Sequence, residues 1–332
     1  MKKILLIIVV FLCLFASVSA QEESESTRPL TRDVIVSHTD GNGILQLYRK
    51  QANGKSSKQI TYSAHGCQMP SCSPDGKKIA YVEQHDNQIT LRVSDIDGEN
   101  VETLIKQGFN LLPCWAPDSK HIVWMKVQPQ KNQEPARNSQ LHIINIESGQ
   151  SRVLFTDGRQ LKFSNSMPSV SPKGNRIAFV SNRGGPMRIW VSNLEGSDAK
   201  AISTPTVEYH EAIGAPIEQK VPVWSPDGKW IAHWEGVEMT HMSKFTGTPN
   251  PKRDQMISET FQVWIADSNG TQRQKIGKGD DPTWSPDGFA TRAFPNPKRG
   301  CPQIMLETES GSQELPIVPD GKQWGRFTWV PN

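Results

Sequence analysis

The stretch WSPDGKWIA, residues 224–232, returns in modified form along the chain. Proline fixes φ at the second position of a turn, Ser and Asp can hydrogen-bond back to the backbone, and Gly accepts positive φ, so Ser-Pro-Asp-Gly is typical of a tight turn. Apolar and polar residues alternate on both sides of it, as in the strands of a β-hairpin. We therefore interpret the recurring aspartates as turn residues without a catalytic role.

Two elements recur in the sequence and together define a repeat unit. Copies of the first, the proline turn, occupy residues 72–76, 115–119, 170–174, 224–228 and 284–288. The second is an alternating strand that runs into a glycine turn and is followed by a short strand. Its copies end at Gly54, Gly98, Gly149, Gly196, Gly270 and Gly311. Such self-similarity is the signature of a repeat architecture.

The repeat unit predicts an all-β fold. Two hairpins per unit make a four-stranded antiparallel sheet, with strands A to D, and sheets that cannot bury both faces alone must pack radially. The units therefore predict a six-bladed β-propeller. The first unit lacks a strand A, and residues 327–331 have the pattern of that missing strand. We expect this C-terminal strand to close the ring, because closure removes the exposed edges of an open arc.

The proline turn at 224–228 and its copies resemble the WD40-like repeat (PD40) of TolB-type β-propellers, and the resemblance covers nearly all of the chain. The namesake of that family is a periplasmic six-bladed propeller with an additional N-terminal α/β domain, which works with the Tol-Pal envelope complex. Here roughly a dozen residues separate Gln21 from the first predicted strand near Val34, too few for a folded domain. The sequence departs from the namesake at this point.

The first residues have the pattern of a secretory signal peptide. Met1-Lys2-Lys3 precede a short apolar run that ends in small residues at Ala20. We expect a signal peptide at 1–20, an N-terminal extension at 21–33 and the propeller at 34–332. The apolar run is too short to span a bilayer and no other stretch is long and apolar enough. The sequence therefore predicts a periplasmic or secreted protein that does not span the membrane.

Composition gives weaker constraints on function. The formal net charge of +3 argues against dedicated nucleic-acid binding, which requires a concentrated basic face. The cysteines after the predicted signal peptide show no paired CxxC spacing, and they are Cys67, Cys72, Cys114 and Cys301. Their disulfide pairing is left open, although Cys72 and Cys114 precede repeat turns and are interpreted as small buried side chains.

Strand order predicts where functional loops lie. If strand A runs downward, the A–B and C–D turns lie at the bottom, and the B–C loops and the D–A connections lie on top. The longest interval between terminal glycines separates Gly196 from Gly270, and its excess falls at 204–220 and 235–260. Both insertions belong to the top face and can touch. Long loops on a rigid scaffold are where binding and catalysis concentrate.

The two insertions carry imidazoles and carboxylates, which could bind a ligand, hold a divalent metal or transfer protons. The candidate ligand-binding residues are Tyr209, His210, Glu211, Glu235, Glu238 and His241. Their spacing is not a known zinc signature, so solvated loop side chains remain the alternative to a metal site. His233 occupies the repeat position of Tyr81 and Trp124, so we expect it to pack between sheets.

Two functions remain open from the sequence. The first is a binding module that docks an envelope protein or a glycan through its top face, without catalysis. The second is a polysaccharide lyase, because lyases that act on oligogalacturonate and ulvan resemble this propeller type and use top-face histidine, tyrosine and arginine. No GxSxG nucleophile motif occurs in the sequence.

Overall fold

A computed structural model describes most of the chain. The residues it describes are 32–52, 56–127, 139–156, 162–205, 207–238, 250–288, 290–296, 301–308, 311–315, 317, 322 and 324–331. The predicted signal peptide lies outside them. Among the described residues, no helix is long and apolar enough to cross a membrane.

The described residues form many short strands and one helix, α1 (Pro251–Glu259). In chain order the strands are β1 (Val34–Thr39), β2 (Leu45–Lys50), β3 (Ser57–Gln59), β4 (Cys67–Cys72), β5 (Lys78–His85), β6 (Gln88–Asp95), β7 (Glu102–Ile105), β8 (Phe109–Trp115), β9 (His121–Val127), β10 (Ser139–Asn145), β11 (Ser151–Val153), β12 (Asn165–Val170), β13 (Ile177–Ser181), β14 (Arg188–Ser192), β15 (Lys200–Ala201), β16 (Tyr209–His210), β17 (Ala215–Trp224), β18 (Trp230–Val237), β19 (Gln262–Asp267), β20 (Arg273–Lys278), β21 (Asp280–Trp284), β22 (Ala290–Asn296), β23 (Cys301–Thr308), β24 (Gly311–Leu315) and β25 (Trp324–Trp329).

The strands pair in the order that the repeat units predict. The first sheet has the order β25-β1-β2-β3, and the others contain β4 to β11, β12 to β15, β16 to β20 and β21 to β24. The longest sheet consists of two four-stranded units, β4 to β7 and β8 to β11, which are joined by one parallel bridge between Ile89 and Phe109. The described strands therefore form units of four, with one additional strand, β16, before β17. We call the unit β16 to β20 blade five.

The C-terminal strand completes the first sheet. In the antiparallel pair of β25 and β1, Trp329 lies opposite Val34 and Phe327 lies opposite Val36. These side chains form one hydrophobic core with Ile304 of the sheet β21 to β24. The predicted closure of the ring is thus confirmed, and the fold is a β-propeller.

Each strand A carries the same irregularity. The pairs of strands A and B all show a register shift at one point, which marks a β-bulge. At this point five non-glycine residues have φ between 43° and 56°, and each of them precedes a proline. They are Met69, Leu112, Met167, Val221 and Asp281. A bulge re-aims a side chain and bends the strand, so these residues leave the regular alternation of the sheet.

The tryptophan of the repeat joins neighbouring sheets. The indole N–H of Trp115 donates to the carbonyl of Ser71 at 2.9 Å, and that of Trp224 donates to the carbonyl of Ser169 at 3.0 Å. The acceptor lies in strand A of the preceding unit in both cases. The Trp of WSPDG therefore stabilises the radial packing, while the following four residues form the turn.

Candidate functional site

Blade five is built differently from the other units on its top face. β17, with 10 residues, is longer than strand A of the other units, and Tyr209 of β16 pairs with Pro216 of β17. α1 follows β18, and Pro251 is its first residue. The side chain of Asn250 caps the start of the helix, because it accepts a hydrogen bond from the backbone amide of Arg253 at 3.0 Å. Both features are typical of helix starts. The insertion at 235–260 therefore contains a helix that the sequence did not predict.

The two insertions of blade five touch each other, as expected. The guanidinium of Arg253 on α1 donates to the carbonyl of Ile213 at 3.3 Å. Ile257 of α1 is fully buried in a hydrophobic cluster that also contains Ile213 and Trp234. The Thr260 hydroxyl oxygen accepts from the Val237 amide at 2.9 Å, which joins the end of the helix to β18. The top of blade five is thus a packed substructure and not a pair of free loops.

The first three candidate residues lie at a tight turn of this substructure. The amide of Gly214 donates to the carbonyl of His210 at 2.8 Å. The Tyr209 side chain is 46% exposed, and Val207 just before it is 58% exposed. Glu211 is exposed, whereas the Nδ1 atom of His210 is buried and has no hydrogen-bond partner among the described residues. The turn therefore presents an aromatic and an aliphatic side chain to solvent next to a carboxylate.

The expectation that Glu235 lies on a loop is wrong. Glu235 belongs to β18, because β17 and β18 continue to pair beyond the repeat as far as Ile217 and Val237. Its carboxylate is buried, accepts a hydrogen bond from the side-chain Nε2 of Gln219 at 2.7 Å and forms an ion pair with Arg273. Glu235 is therefore part of a structural polar network that joins β17, β18 and β20 of blade five.

The charge state of Glu235 follows from that network. Burial raises the pKa of its carboxyl, but hydrogen bonds from His233 and Gln219 and the charge of Arg273 outweigh burial, so the pKa is lowered overall. The Arg273 guanidinium also lies 3.7 Å from the centre of the Trp264 ring, a cation–π contact that holds it in place. The carboxylate is ionised and its charge is compensated inside the protein.

Glu238 forms a second, separate network. The ammonium of Lys220 lies 2.8 Å from the Glu238 carboxylate and 3.3 Å from that of Glu218. Burial lowers the pKa of Lys220, but the two carboxylates outweigh it and raise the pKa overall. Lys220 lies opposite Trp234 in the sheet, whereas Glu235 lies opposite Gln219. Since neighbouring residues of a strand point to opposite faces, the networks of Glu235 and Glu238 lie on opposite faces of blade five.

The six candidate residues therefore do not form one cluster. Tyr209, His210 and Glu211 share a turn, and the carboxylates of Glu235 and Glu238 are each engaged elsewhere. His241 lies outside the described residues. Within the described part of the chain, no group of three or more His, Cys, Asp or Glu side chains could hold a metal ion.

His233 is fully buried between sheets, as expected. Its Nε2 atom lies 3.4 Å from the Ser203 hydroxyl and 3.6 Å from the Glu235 carboxylate. In a catalytic triad the serine and the carboxylate contact different ring nitrogens of the histidine. Here Ser203 and Glu235 both approach Nε2, and Nδ1 has no partner among the described residues. Ser203, His233 and Glu235 therefore lack the geometry of a catalytic triad.

A cavity on the propeller axis was not predicted from the sequence. Its volume is about 180 Å³, and three consecutive residues of each strand A line it. The lining segments are 69–71, 112–114, 167–169, 221–223, 281–283 and 326–328. A sequence signal for it exists, because in the repeats a second proline, such as Pro70 or Pro222, stands four residues before the turn proline. That proline follows the bulged residue and marks the segment that faces the axis.

Three of the cysteines are free thiols, namely Cys67, Cys72 and Cys114. Burial raises the pKa of Cys67 and of Cys72 to about 12 and that of Cys114 to about 11. Thiols that stay protonated at neutral pH are poor nucleophiles. The side chain of Cys301 lies outside the described residues, so its pairing stays open.

Comparison with known proteins agrees with this architecture. A family model described as the TolB beta propeller domain matches residues 25–134 and 83–235. The chain belongs to this family. An uncharacterized protein of Agrobacterium fabrum, Atu1656, is 33% identical over 107 residues, which are 29% of this chain and 36% of that protein. A protein TolB homolog of Chlorobium luteolum is 22% identical over 160 residues, 48% of this chain and 34% of that protein. The matches thus span only about a third of these relatives' own length.

Solved structures of TolB-type propellers have the same fold. TolB from Acinetobacter baumannii superimposes with a TM-score of 0.68 at 18% identity, over 92% of this chain and 68% of that chain. An oligogalacturonate lyase in complex with manganese gives a TM-score of 0.55 at 14% identity, over 88% of this chain and 76% of that chain. At such identities the likeness concerns the fold alone.

Proposed function

We propose that this TolB-type propeller is an exported binding module that docks a protein of the cell envelope through the top of blade five. One observation carries the proposal: Val207 and Tyr209, 58% and 46% exposed, lie two residues apart just before a turn whose Ile213 packs against Ile257 of α1. Contiguous exposed apolar surface marks protein interaction sites. A turn held by a packed helix also loses little conformational freedom on binding.

The relatives support an envelope role. Several are named as Tol-Pal system protein TolB, for example that of Bordetella pertussis, which is 24% identical over 160 residues. The predicted signal peptide at 1–20 fits export from the cytoplasm, and we infer a periplasmic or secreted location from it. We infer that the partner binds the top of blade five and not the bottom face, because the top of this unit departs from the repeat whereas the bottom turns follow it.

A matched pair of valine variants tests the proposal. Val207→Ser should reduce the capture of the partner by crosslinking in envelope extract at least several-fold, because it removes apolar contact area. Val101→Ser is the control, since Val101 is also exposed, at 47%, but lies in a C–D turn on the opposite face. Equal loss of capture in both variants, or in neither, would contradict docking at blade five.

Histidine variants separate the surface from the core. His210→Ala should leave the melting temperature nearly unchanged and weaken capture, and we propose the same for His241→Ala. His233→Ala should mainly cost stability, because His233 is fully buried and its Nε2 atom forms a hydrogen bond with the Ser203 hydroxyl. Unchanged capture by the His210→Ala, His241→Ala double variant would place the docking site elsewhere.

The lyase hypothesis has weaker support. Lyase chemistry requires acid–base groups that converge on one substrate, but Glu235 and Glu238 point to opposite faces of blade five, and each forms an ion pair with a cation of the protein. An ultraviolet assay for unsaturated uronate products on a panel of anionic glycans tests it. Product formation that depends on His210 would favour the lyase over the binding module.

A further inference from the structure

The bulges of the strands A concentrate backbone strain around the axial cavity. Residues such as Met69 and Val221 have φ of 56° and 55° although they are not glycines. Each such residue costs about 1–3 kcal/mol and persists only where the surroundings hold it, often at ligand sites. The following proline restricts the same backbone further. All five of the strained residues line the same cavity.

The size and wall of the cavity suit a small organic molecule. Its volume of about 180 Å³ exceeds the roughly 150 Å³ of an engineered apolar cavity that binds benzene. Met69, Leu112, Met167 and Val221 contribute apolar residues to its wall on four consecutive units, and Ser71 and Ser169 lie beside them. Methionine side chains are flexible and polarizable, so they adapt to ligands of different shape.

The other two units make one side of the cavity polar. Asp281 and Arg326 line it and form an ion pair with each other. The Nε atom of Arg326 is buried and has no hydrogen-bond partner among the described residues. A buried donor without an acceptor costs free energy, which a ligand oxygen would recover.

The charge balance at this side favours a neutral ligand. Burial and the neighbouring Asp281 raise the pKa of Asp280 to about 8, so its carboxyl is mostly neutral at pH 7 and the Asp281–Arg326 pair compensates itself. An anion would face the carboxylate of Asp281, and a cation would face the guanidinium of Arg326. A neutral oxygen acceptor satisfies Arg326 without adding a buried charge.

We propose that the axial cavity binds a small neutral molecule that has an apolar part and bears a hydroxyl or carbonyl oxygen, which accepts a hydrogen bond from Arg326. The apolar part lies against Met69, Leu112, Met167 and Val221. This site is independent of the docking surface on blade five, so either assignment can fail without the other.

Three probes that share a benzyl or phenyl body test the ligand class. Benzyl alcohol, benzoate and benzylamine are titrated into the full chain at pH 7 and followed by calorimetry and ligand-detected NMR. We expect saturable binding of benzyl alcohol, and at least about tenfold weaker binding of the two charged probes, a factor that corresponds to 1.4 kcal/mol. No saturable binding of benzyl alcohol, or tighter binding of either charged probe, would overturn the proposal.

Filling the cavity tests the location. Val221→Phe should reduce the affinity for benzyl alcohol at least about tenfold, and Leu112→Phe should do the same from another unit. Val101→Phe makes the same change at a side chain that is 47% exposed and far from the axis, and it should have no effect. If Val221→Phe and Leu112→Phe both fail to fold, crystals of the wild-type protein are soaked in benzyl alcohol instead. Density in the axial cavity next to Arg326 supports the site, and density elsewhere or none overturns it.

Discussion

The interface that closes the ring differs from the repeated interfaces between the other sheets. At the repeated interface before β21, the Trp284 indole donates to the Val223 carbonyl at 2.9 Å. At the closing interface, between the sheet β21 to β24 and the first sheet, the equivalent Trp329 is buried and its indole nitrogen has no partner among the described residues. The ion pair of Asp281 and Arg326 crosses this interface instead.

The difference shows two ways of joining neighbouring sheets. The indole contacts of Trp115, Trp224 and Trp284 at the repeated interfaces are neutral, so they do not depend on pH. The closing interface has Phe327 in the place of the repeat proline and charged residues on both sides. The chain joins β24 to β25, but no loop joins β25 to β1, so the closing interface depends on the pairing of these two strands, on its hydrophobic core and on charge. It should therefore be the part of the ring that is most sensitive to truncation, to charge removal and to pH.

Deletion of residues 327–332 should have the largest effect. It removes Phe327 and Trp329 from the core of the closing interface and leaves β1 as an unpaired edge. We expect loss of cooperative unfolding, or a melting temperature lower by more than about 10 °C. Removal of Asn332 alone is the control. A truncated chain that melts like the full chain would show that the ring does not depend on β25.

Removal of one partner of the ion pair should have the next largest effect. Asp281→Ala leaves the largely buried Arg326 without its carboxylate, which should lower the free energy of unfolding by about 3 kcal/mol in urea denaturation. The double variant Asp281→Ala, Arg326→Met should recover part of this loss. Lys120→Ala, which breaks the exposed pair with Glu147, should change stability little. Equal effects of the two single variants would remove the distinction between the closing interface and an ordinary surface.

The pH dependence of the free energy of unfolding should be determined in large part by Asp280. Its pKa is raised from 3.8 to about 8 in the folded protein, so folding binds a proton between these values and wild-type stability falls as pH rises from about 4 to about 8. Asp280→Asn removes this loss. Its advantage over wild type should therefore grow from pH 5 to pH 8 by at least about 1.4 kcal/mol, the equivalent of one pKa unit.

A turn aspartate supplies the control of opposite sign. Hydrogen bonds from Ser225 and Lys229 lower the pKa of Asp227, so its contribution is present above its unfolded pKa and is lost as pH falls through the folded value. Asp227→Asn should thus lose stability relative to wild type at pH 7, with a smaller difference at low pH. A pH-independent difference for Asp280→Asn would show that Asp280 is ionised throughout.

The smallest expected effect concerns the indole nitrogens. Trp284→Phe removes a hydrogen bond to the neighbouring sheet and should cost about 1 kcal/mol more than Trp329→Phe, which removes a donor that has no acceptor among the described residues. Urea denaturation of both variants measures the difference. The same cost at both positions would indicate that Trp329 has an acceptor in the protein.

Much of the fold is predictable from the sequence, because the residues responsible are local. The turn chemistry of Ser-Pro-Asp-Gly and the alternation of its flanking strands predicted the hairpins, and the missing first strand predicted closure by β25, which the pairing with β1 confirms. His233 was expected in the core because its repeat position carries large side chains elsewhere, and it is fully buried. The number of blades stays a prediction that rests on the count of repeats.

The candidate site was less predictable. Loop length placed both insertions of blade five on one face, and their contact through Arg253 and Ile213 agrees with that. The length of β17 and β18 was not visible in the repeat, so Glu235 was expected on a loop although it is buried in β18. Which candidate residues meet depends on strand faces, and one residue of register moves a side chain to the other face.

The sequence by itself thus determined the turns, the units and the closing strand, since each follows from residues close together in the chain or from the comparison of repeats. Only the tertiary structure decided that Glu235 and Glu238 point apart, that Asp281 meets Arg326, and that the bulged residues share one axial cavity. The physical reason is that these relations depend on the bulge in each strand A and on the closure of the ring. Closure brings together segments as distant in the chain as 69–71 and 326–328, which no local pattern relates.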